Sequence, residues 1–306
     1  MVDIGVKTRK TDLCSIALAD TRKVPIEIWV RETKPIIERL TALQTERKLT
    51  YAAFGATALG ALGYSRATKD VDIVVKKEGW NCEKVAQVLS EEFALTVCKK
   101  EGQKVIMLVK EIEGYHFVIE LWDDYIYVMD CDDQMWKRAQ VGQNLGFPII
   151  TLSTEDMVSS KLGRFFVEKQ KEDITDIAFL LKTYGIRNFD YFVKRIEKIK
   201  RHGKTIDEFL FEEMVELSKL LGRAELEKIH TEIVKRRPYK QLLERIMFNF
   251  SKECSSLDEM AEKAMLQKGE LESILKKLQI ETKGKEFTIP KNPDGVISNV
   301  LKDGKS

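Results

Sequence analysis

The sequence predicts an α+β protein, a small mixed β-sheet flanked by helices and followed by a mainly helical part. Three observations predict it. Up to Leu152, short apolar runs of strand period alternate with stretches of helical period. Beyond Leu152 the period is helical to about Phe250. The last stretch reads helix, turn, helix, hairpin, the order of a winged-helix module.

From Val24 to Arg47 the residues Ile26, Trp29, Val30, Ile36, Ile37, Leu40 and Leu43 recur near helical spacing, with Pro25 suited to a first turn. Leu49–Gly55 reads as a strand running into a glycine turn, Thr57–Gly63 as a short helix, and Val71–Val75 as a second strand. Asn81–Phe93 is helical, and Lys104–Ile112 and Tyr115–Trp122 are strands joined by a turn containing Gly114. Gly146–Leu152 is a last extended piece. Ser153 and Thr154 are N-cap candidates for the next helix, and Lys171–Gly185 is a helix closed by glycine. In the tail, SLDEMAEKA and QKGELESILKKLQI form two helices and ETKGKEFTIP a small hairpin. The expected division is a helical extension (1–46), a sheet-bearing core (47–152), a helical domain (153–250) and a winged-helix-like tail (251–306).

With 306 residues, 43% hydrophobic and 33% charged, the chain can bury a sizeable core as a globular protein of two domains and a small third. No apolar run approaches a membrane span, and the charged N-terminus has no apolar core of a secretory leader behind it. Five cysteines, odd in number and without paired metal-ligand spacing, predict reduced thiols, a cytoplasmic setting and no zinc site. The net charge of +2 is unevenly spread: Val193–Lys204 and Val234–Lys240 are basic, Trp122–Asp133 acidic. Basic runs of this kind are ordinarily solvated helix faces; the sharper reading is a nucleic-acid footprint.

The chemistry concentrates in FGATALGALGYSRATKDVDIVV, Phe54–Val75. Asp70 and Asp72 bracket the first residue of an apolar strand, and alternation points both carboxylates to one face. Like charges so close disfavour one another, and together they can hold hard divalent cations through oxygen. The glycine turn before the short helix lets backbone N–H groups of Gly55, Ala56 and Thr57 approach an anion. A phosphate cradle facing a diacid is what phosphoryl or nucleotidyl transfer requires.

At these residues the sequence resembles the DNA polymerase β-like nucleotidyltransferases, and more narrowly the minimal AbiEii-type branch that includes toxins of toxin–antitoxin pairs. Gly55, Arg66, Thr68, Asp70 and Asp72 occupy the positions of that branch's glycine turn, Arg-x-Ser/Thr-x-Asp run and apolar-flanked Asp. Ala56 departs from the pattern, standing where the branch carries a second Gly or Ser. The resemblance implies a nucleotidyltransferase fold for the core and a third carboxylate from a neighbouring strand. Glu120, an acid on the apolar face of HFVIELW, is the candidate, with Asp123 as the alternative; a solvent-facing Glu120 is the bland reading. The branch also carries a helical Lys followed by a Lys/Arg-Asp-x-x-Asp helix, matched here by Lys161, Asp173 and Asp176. Lys161 would meet a nucleotide phosphate, and Asp173 would either position that Lys or act as a base; otherwise both acids serve their helix dipole.

The resemblance implies an enzyme in which Asp70, Asp72 and Glu120 hold two Mg2+ ions (Mn2+ as a substitute) around a nucleoside triphosphate. Gly55, Ala56, Thr57, Thr68 and Lys161 would bind the nucleotide, while Arg66 would brace the turn or touch phosphate. An acceptor hydroxyl would attack the α-phosphate and release pyrophosphate. The toxin branch favours an RNA acceptor, the tRNA 3′ end foremost, with small-molecule and protein hydroxyls open, and a protein antitoxin as partner. The alternative, from another class, is a catalytically degenerate fold acting as a nucleotide- or nucleic-acid-binding regulator, to which Ala56 and Glu120 point.

Overall fold

The protein is described by a computed structural model. The described residues are 13–64, 68–99, 105–127, 129–168, 170–197, 199, 219–222, 229, 232, 239–264, 266–283 and 286–303. Arg66 lies outside them, as does most of the basic runs at 193–204 and 234–240.

A seven-stranded mixed sheet organises the first part of the chain. Its strands are β1 (Tyr51–Ala53), β2 (Asp70–Val75), β3 (Thr96–Lys99), β4 (Val105–Ile112), β5 (Tyr115–Asp123), β8 (Gln140–Gly142) and β9 (Ile149–Thr151), in the order β3-β4-β5-β2-β1-β9-β8. β2 runs parallel to β5 and β1 parallel to β9, whereas the other neighbours are antiparallel. A two-stranded pair, β6 (Tyr125–Ile126) and β7 (Met129–Asp130), follows β5. Edge strands β3 and β8, each only a few residues long, were not expected from the sequence; they carry few apolar alternations of their own and form by pairing with β4 and β9.

Helices cover both faces. A helix at 13–19 is α1; α2 spans Ile26–Thr45, α3 Gly55–Ala61, α4 Cys82–Phe93 and α5 Asp133–Lys137. α6 (Thr154–Glu168) and α7 (Lys171–Thr183) follow the sheet. One face of α2 (Ile28, Trp29, Ile36, Ile37, Leu40, Leu43) and of α4 (Val85, Ala86, Leu89) packs with Val71, Ile73, Val75, Ile119 and Leu121 in one core. Fully burying Ile37, Leu40 and Leu43 contributes about 2 kcal/mol each. Asn81 caps α4, its Oδ1 accepting from Lys84 N at 3.0 Å, and Ala94 ends the helix at φ 52°. Ser153 caps α6: its Oγ accepts from Asp156 N at 3.2 Å and donates to Asp156 Oδ2 at 2.6 Å.

The chain divides into two compact units, residues 1–187 with 195–202 and residues 188–194 with 203–306. α6 and α7 thus belong with the sheet rather than with a separate helical domain. The second unit has its own core, in which Leu243, Ile246, Met247, Met260, Leu271 and Leu278 are buried. Its tail has helices at Leu257–Ala264 and Lys268–Lys277, a strand pair Glu281–Lys283 with Glu286–Thr288, and a helix Pro293–Asp303.

One expectation is corrected. Cys14 and Cys98 form a disulfide with their Cα atoms 5.7 Å apart, so the thiols are not all reduced. The pairing is invisible in the sequence because 84 positions separate the two residues. Among the described residues no helix is long and apolar enough to cross a membrane.

Candidate active site

β2 and β5 build the site. Their parallel register sets Asp72 beside Glu120 and Asp70 beside Val118, so Asp70, Asp72 and Glu120 share one sheet face. The opposite face of the same strands carries the core residues Val71, Ile73, Ile119 and Leu121. A cavity of about 460 Å³ opens over the acids. Lys23, Gly55, Ala56, Thr68, Trp122, Tyr127 and Arg164 complete its polar wall, with Glu168, Gln170 and Glu172 at the α6–α7 side.

Burial raises the Asp72 carboxyl well above the usual carboxylate range, and the nearby charges of Glu120 and Asp70 raise it further. Glu120 is pushed up to about 7, first by burial and then by Asp70. Trp122 Nε1 donates to Glu120 Oε2 at 3.1 Å and holds that side chain to the wall. Trp122 packs edge-on against Phe54 and Tyr127, with ring centroids 5.8 and 5.1 Å apart.

The glycine turn presses against the acids. Gly55 has φ 57°, and a Cβ there would overlap the Asp72 carboxylate. Thr57 is fully buried and its Oγ1 accepts from Asp72 N at 3.1 Å. Thr57 therefore ties α3 to β2 and does not line the cavity, whereas Gly55 and Ala56 do. Gly55→Ala is expected to cost about 2–3 kcal/mol and to displace Asp72. Urea unfolding checks the first effect, and divalent-cation titration the second.

The predicted cations are redistributed. Lys161 is buried and donates to Asp173 Oδ1 at 3.2 Å and Asp176 Oδ2 at 2.6 Å, with both acids fully buried. None of these three lines the cavity. Arg164, one turn further along α6, does; its Nε donates to Asp173 Oδ2 at 2.7 Å and its Nη2 to Asp173 Oδ1. Its Nη1 donates to the Tyr127 hydroxyl at 3.0 Å, and its guanidinium lies over the Tyr127 ring at 4.7 Å. Asp173 is thus the residue that positions Arg164. Arg164 escaped the sequence reading because Lys161 and Arg164 share a helix face (i, i+3), and only the packing of α7 decides which one reaches the cavity. Lys23 was likewise missed, since in the sequence it is one charge in a polar leader. Glu120 rather than Asp123 faces the cavity, and Thr68 lines it.

The donor chemistry suits divalent cations: Asp72 and Glu120 are desolvated and disfavoured when ionised beside Asp70, and carboxylate oxygens are the hard ligands such ions take. Among the described residues, however, no three His, Cys, Asp or Glu side chains stand close enough to hold a metal ion as they are.

No protein-family model matches the chain, and no curated protein matches it. Among solved structures it is similar to an antigenic nucleotidyltransferase-like protein from Paracoccidioides brasiliensis. The identity is 17%, the likeness covers 65% of this chain and 92% of that one, and the TM-score is 0.41. Likeness at that level bears on neither activity nor partner.

Proposed function

We propose that this protein is a nucleotidyltransferase that moves a nucleoside monophosphate from a nucleoside triphosphate to an acceptor hydroxyl. The observation that carries the reading is the convergence of Asp70, Asp72 and Glu120 on one wall of a cavity whose other walls hold Arg164 and the Gly55–Ala56 turn. Asp70, Asp72 and Glu120 would hold Mg2+, or Mn2+ in its place, which when bound neutralises triphosphate charge and aligns the attacking and leaving oxygens. The backbone of Gly55 and Ala56 approaches the phosphates without a side chain between. Arg164, oriented by Asp173 and Tyr127, offers its guanidinium to phosphate oxygens from the same cavity. The acceptor hydroxyl attacks the α-phosphorus and pyrophosphate leaves.

The resemblance of Phe54–Val75 to the AbiEii-type branch favours an RNA acceptor, the tRNA 3′ end foremost, and a toxin role with a protein antitoxin. The tail, with its two helices and hairpin, is proposed to contact that RNA as a winged helix does. The test supplies each α-labelled nucleoside triphosphate in turn with Mg2+ and total RNA. Mg2+-dependent label in an RNA band is expected. A second reading, a nucleotide-binding regulator without transfer, is favoured by Ala56 in place of a hydroxyl-bearing residue and by the open spacing of the acids. Triphosphate binding without label in any fraction would establish that reading instead.

A further inference from the structure

The first described residues form a strap across the same sheet face as the acids. Ala17 of α1 is buried against Cys98, Met107, Val109 and Val118, and Val118 is the register neighbour of Asp70. The strap is fastened at several points. The Cys14–Cys98 disulfide ties its start to β3. Lys69, immediately before Asp70, donates from Nζ to the carbonyls of Ala17 at 3.3 Å and Asp20 at 2.7 Å, where α1 ends. The Asp20 carboxylate lies 2.6 Å from His116 Nδ1, both side chains buried. Finally Val24, wholly buried, pairs with Thr68, its N–H donating to Thr68 O at 3.2 Å.

Between the last two fastenings stands Lys23, an exposed residue that lines the cavity with Asp70, Asp72 and Glu120. Among the described residues it forms no ion pair. Fastening the chain on either side of a long cationic side chain is not needed for solvation, which any loose lysine achieves. It restricts where the ammonium can be, and that lowers the ordering cost of a contact made there.

We propose that Lys23 is a substrate-binding residue whose ammonium meets the phosphate chain of the incoming substrate, and that the Cys14–Cys98-fastened strap positions it. This rests on the reading of the cavity as a triphosphate site. An ammonium is a point-charge partner for phosphate oxygens, whereas Arg164 supplies a planar donor to the same cavity. Reduction of the disulfide by dithiothreitol, which gives up two electrons and two protons and becomes the cyclic disulfide, yields the Cys14 and Cys98 thiols and frees the start of the strap.

The test is calorimetric titration of the full chain with inorganic triphosphate and Mg2+, free of any assumption about the base. Wild-type protein binds; Lys23→Ala is expected to weaken binding about tenfold or more, and Lys23→Arg to restore most of it. Reduction is expected to weaken the wild type and to leave Lys23→Ala unchanged, because the strap acts through that side chain. Binding by Lys23→Ala equal to wild type overturns the assignment while the triphosphate site stands. Tighter Mg2+ binding with unaltered triphosphate affinity also overturns it, making Lys23 a mere counter-charge to the acids. Absence of binding by the wild type overturns the triphosphate site itself.

Discussion

Replacing Asp72 with Asn is expected to cut nucleotide transfer by about a thousandfold or more while stabilising the divalent-free protein. The first effect follows from losing a cation ligand whose contribution to transition-state charge is several kcal/mol. The second follows from burial. Asp72 is 6% exposed and faces Glu120 and Asp70, so its ionised form is disfavoured in the fold. An amide of the same shape removes that cost, and a gain of about 1–3 kcal/mol is expected.

Glu120→Gln makes the sign testable. Glu120 titrates near 7 in the fold against an ordinary value of 4.5. Below pH 4.5 the group is protonated in both states and contributes no cost. Between 4.5 and 7 the unfolded chain ionises while the fold keeps its proton, so stability falls; above 7 the cost is constant, on the order of 3 kcal/mol. The advantage of Glu120→Gln over wild type therefore grows as pH rises through that window. Urea denaturation at pH 4.5, 6 and 8 without divalent ions measures it. Added Mg2+ should stabilise the wild type and neither variant. A wild type more stable than both variants at pH 8, divalent-free, would sink this account of the wall.

Lys161→Ala carries the largest expected loss of stability. Lys161 closes a buried network in which Asp176 Oδ2 sits 2.6 Å from its ammonium and Asp173 is shared with Arg164. Removing the ammonium leaves two carboxylates without exposure and with one cation fewer, and a loss of about 3–5 kcal/mol is expected. That is a large part of the 5–15 kcal/mol typical of a folded domain. Had Lys161 been the phosphate ligand that the resemblance implies, the variant would fold normally and bind triphosphate weakly. Equilibrium unfolding separates the two outcomes; a loss below about 1 kcal/mol with weakened triphosphate binding contradicts the structural role.

What could be read from sequence tracks how local the cause is. The alternation in Asp70–Val75 and Tyr115–Asp123 fixes which residues of each strand share a face; that an acid such as Glu120 joins Asp70 and Asp72 was implied by the family resemblance, and the β2–β5 register sets Asp72 beside Glu120. Helical spacing from Ile26 to Leu43 likewise matches the buried stripe of α2. Gly55 was legible as a turn, though not that its missing Cβ makes room for Asp72. The edge strands β3 and β8 depend on pairing partners far along the chain, and a short stretch shows no such dependence. The choice between Lys161 and Arg164, the delivery of Lys23 and the Cys14–Cys98 bond are set by tertiary packing alone. Sequence spacing cannot rank two cations on one helix face when the deciding neighbour is another helix.

Triphosphate chemistry at the β2–β5 carboxylates is the proposed activity. Its most direct test compares transfer of α-labelled nucleotide to RNA by wild type and by Asp70→Asn, with circular dichroism and thermal melting showing that the variant is folded. Mg2+-dependent labelling by the wild type and none above background by the folded variant is the predicted result. Undiminished transfer by Asp70→Asn would contradict it.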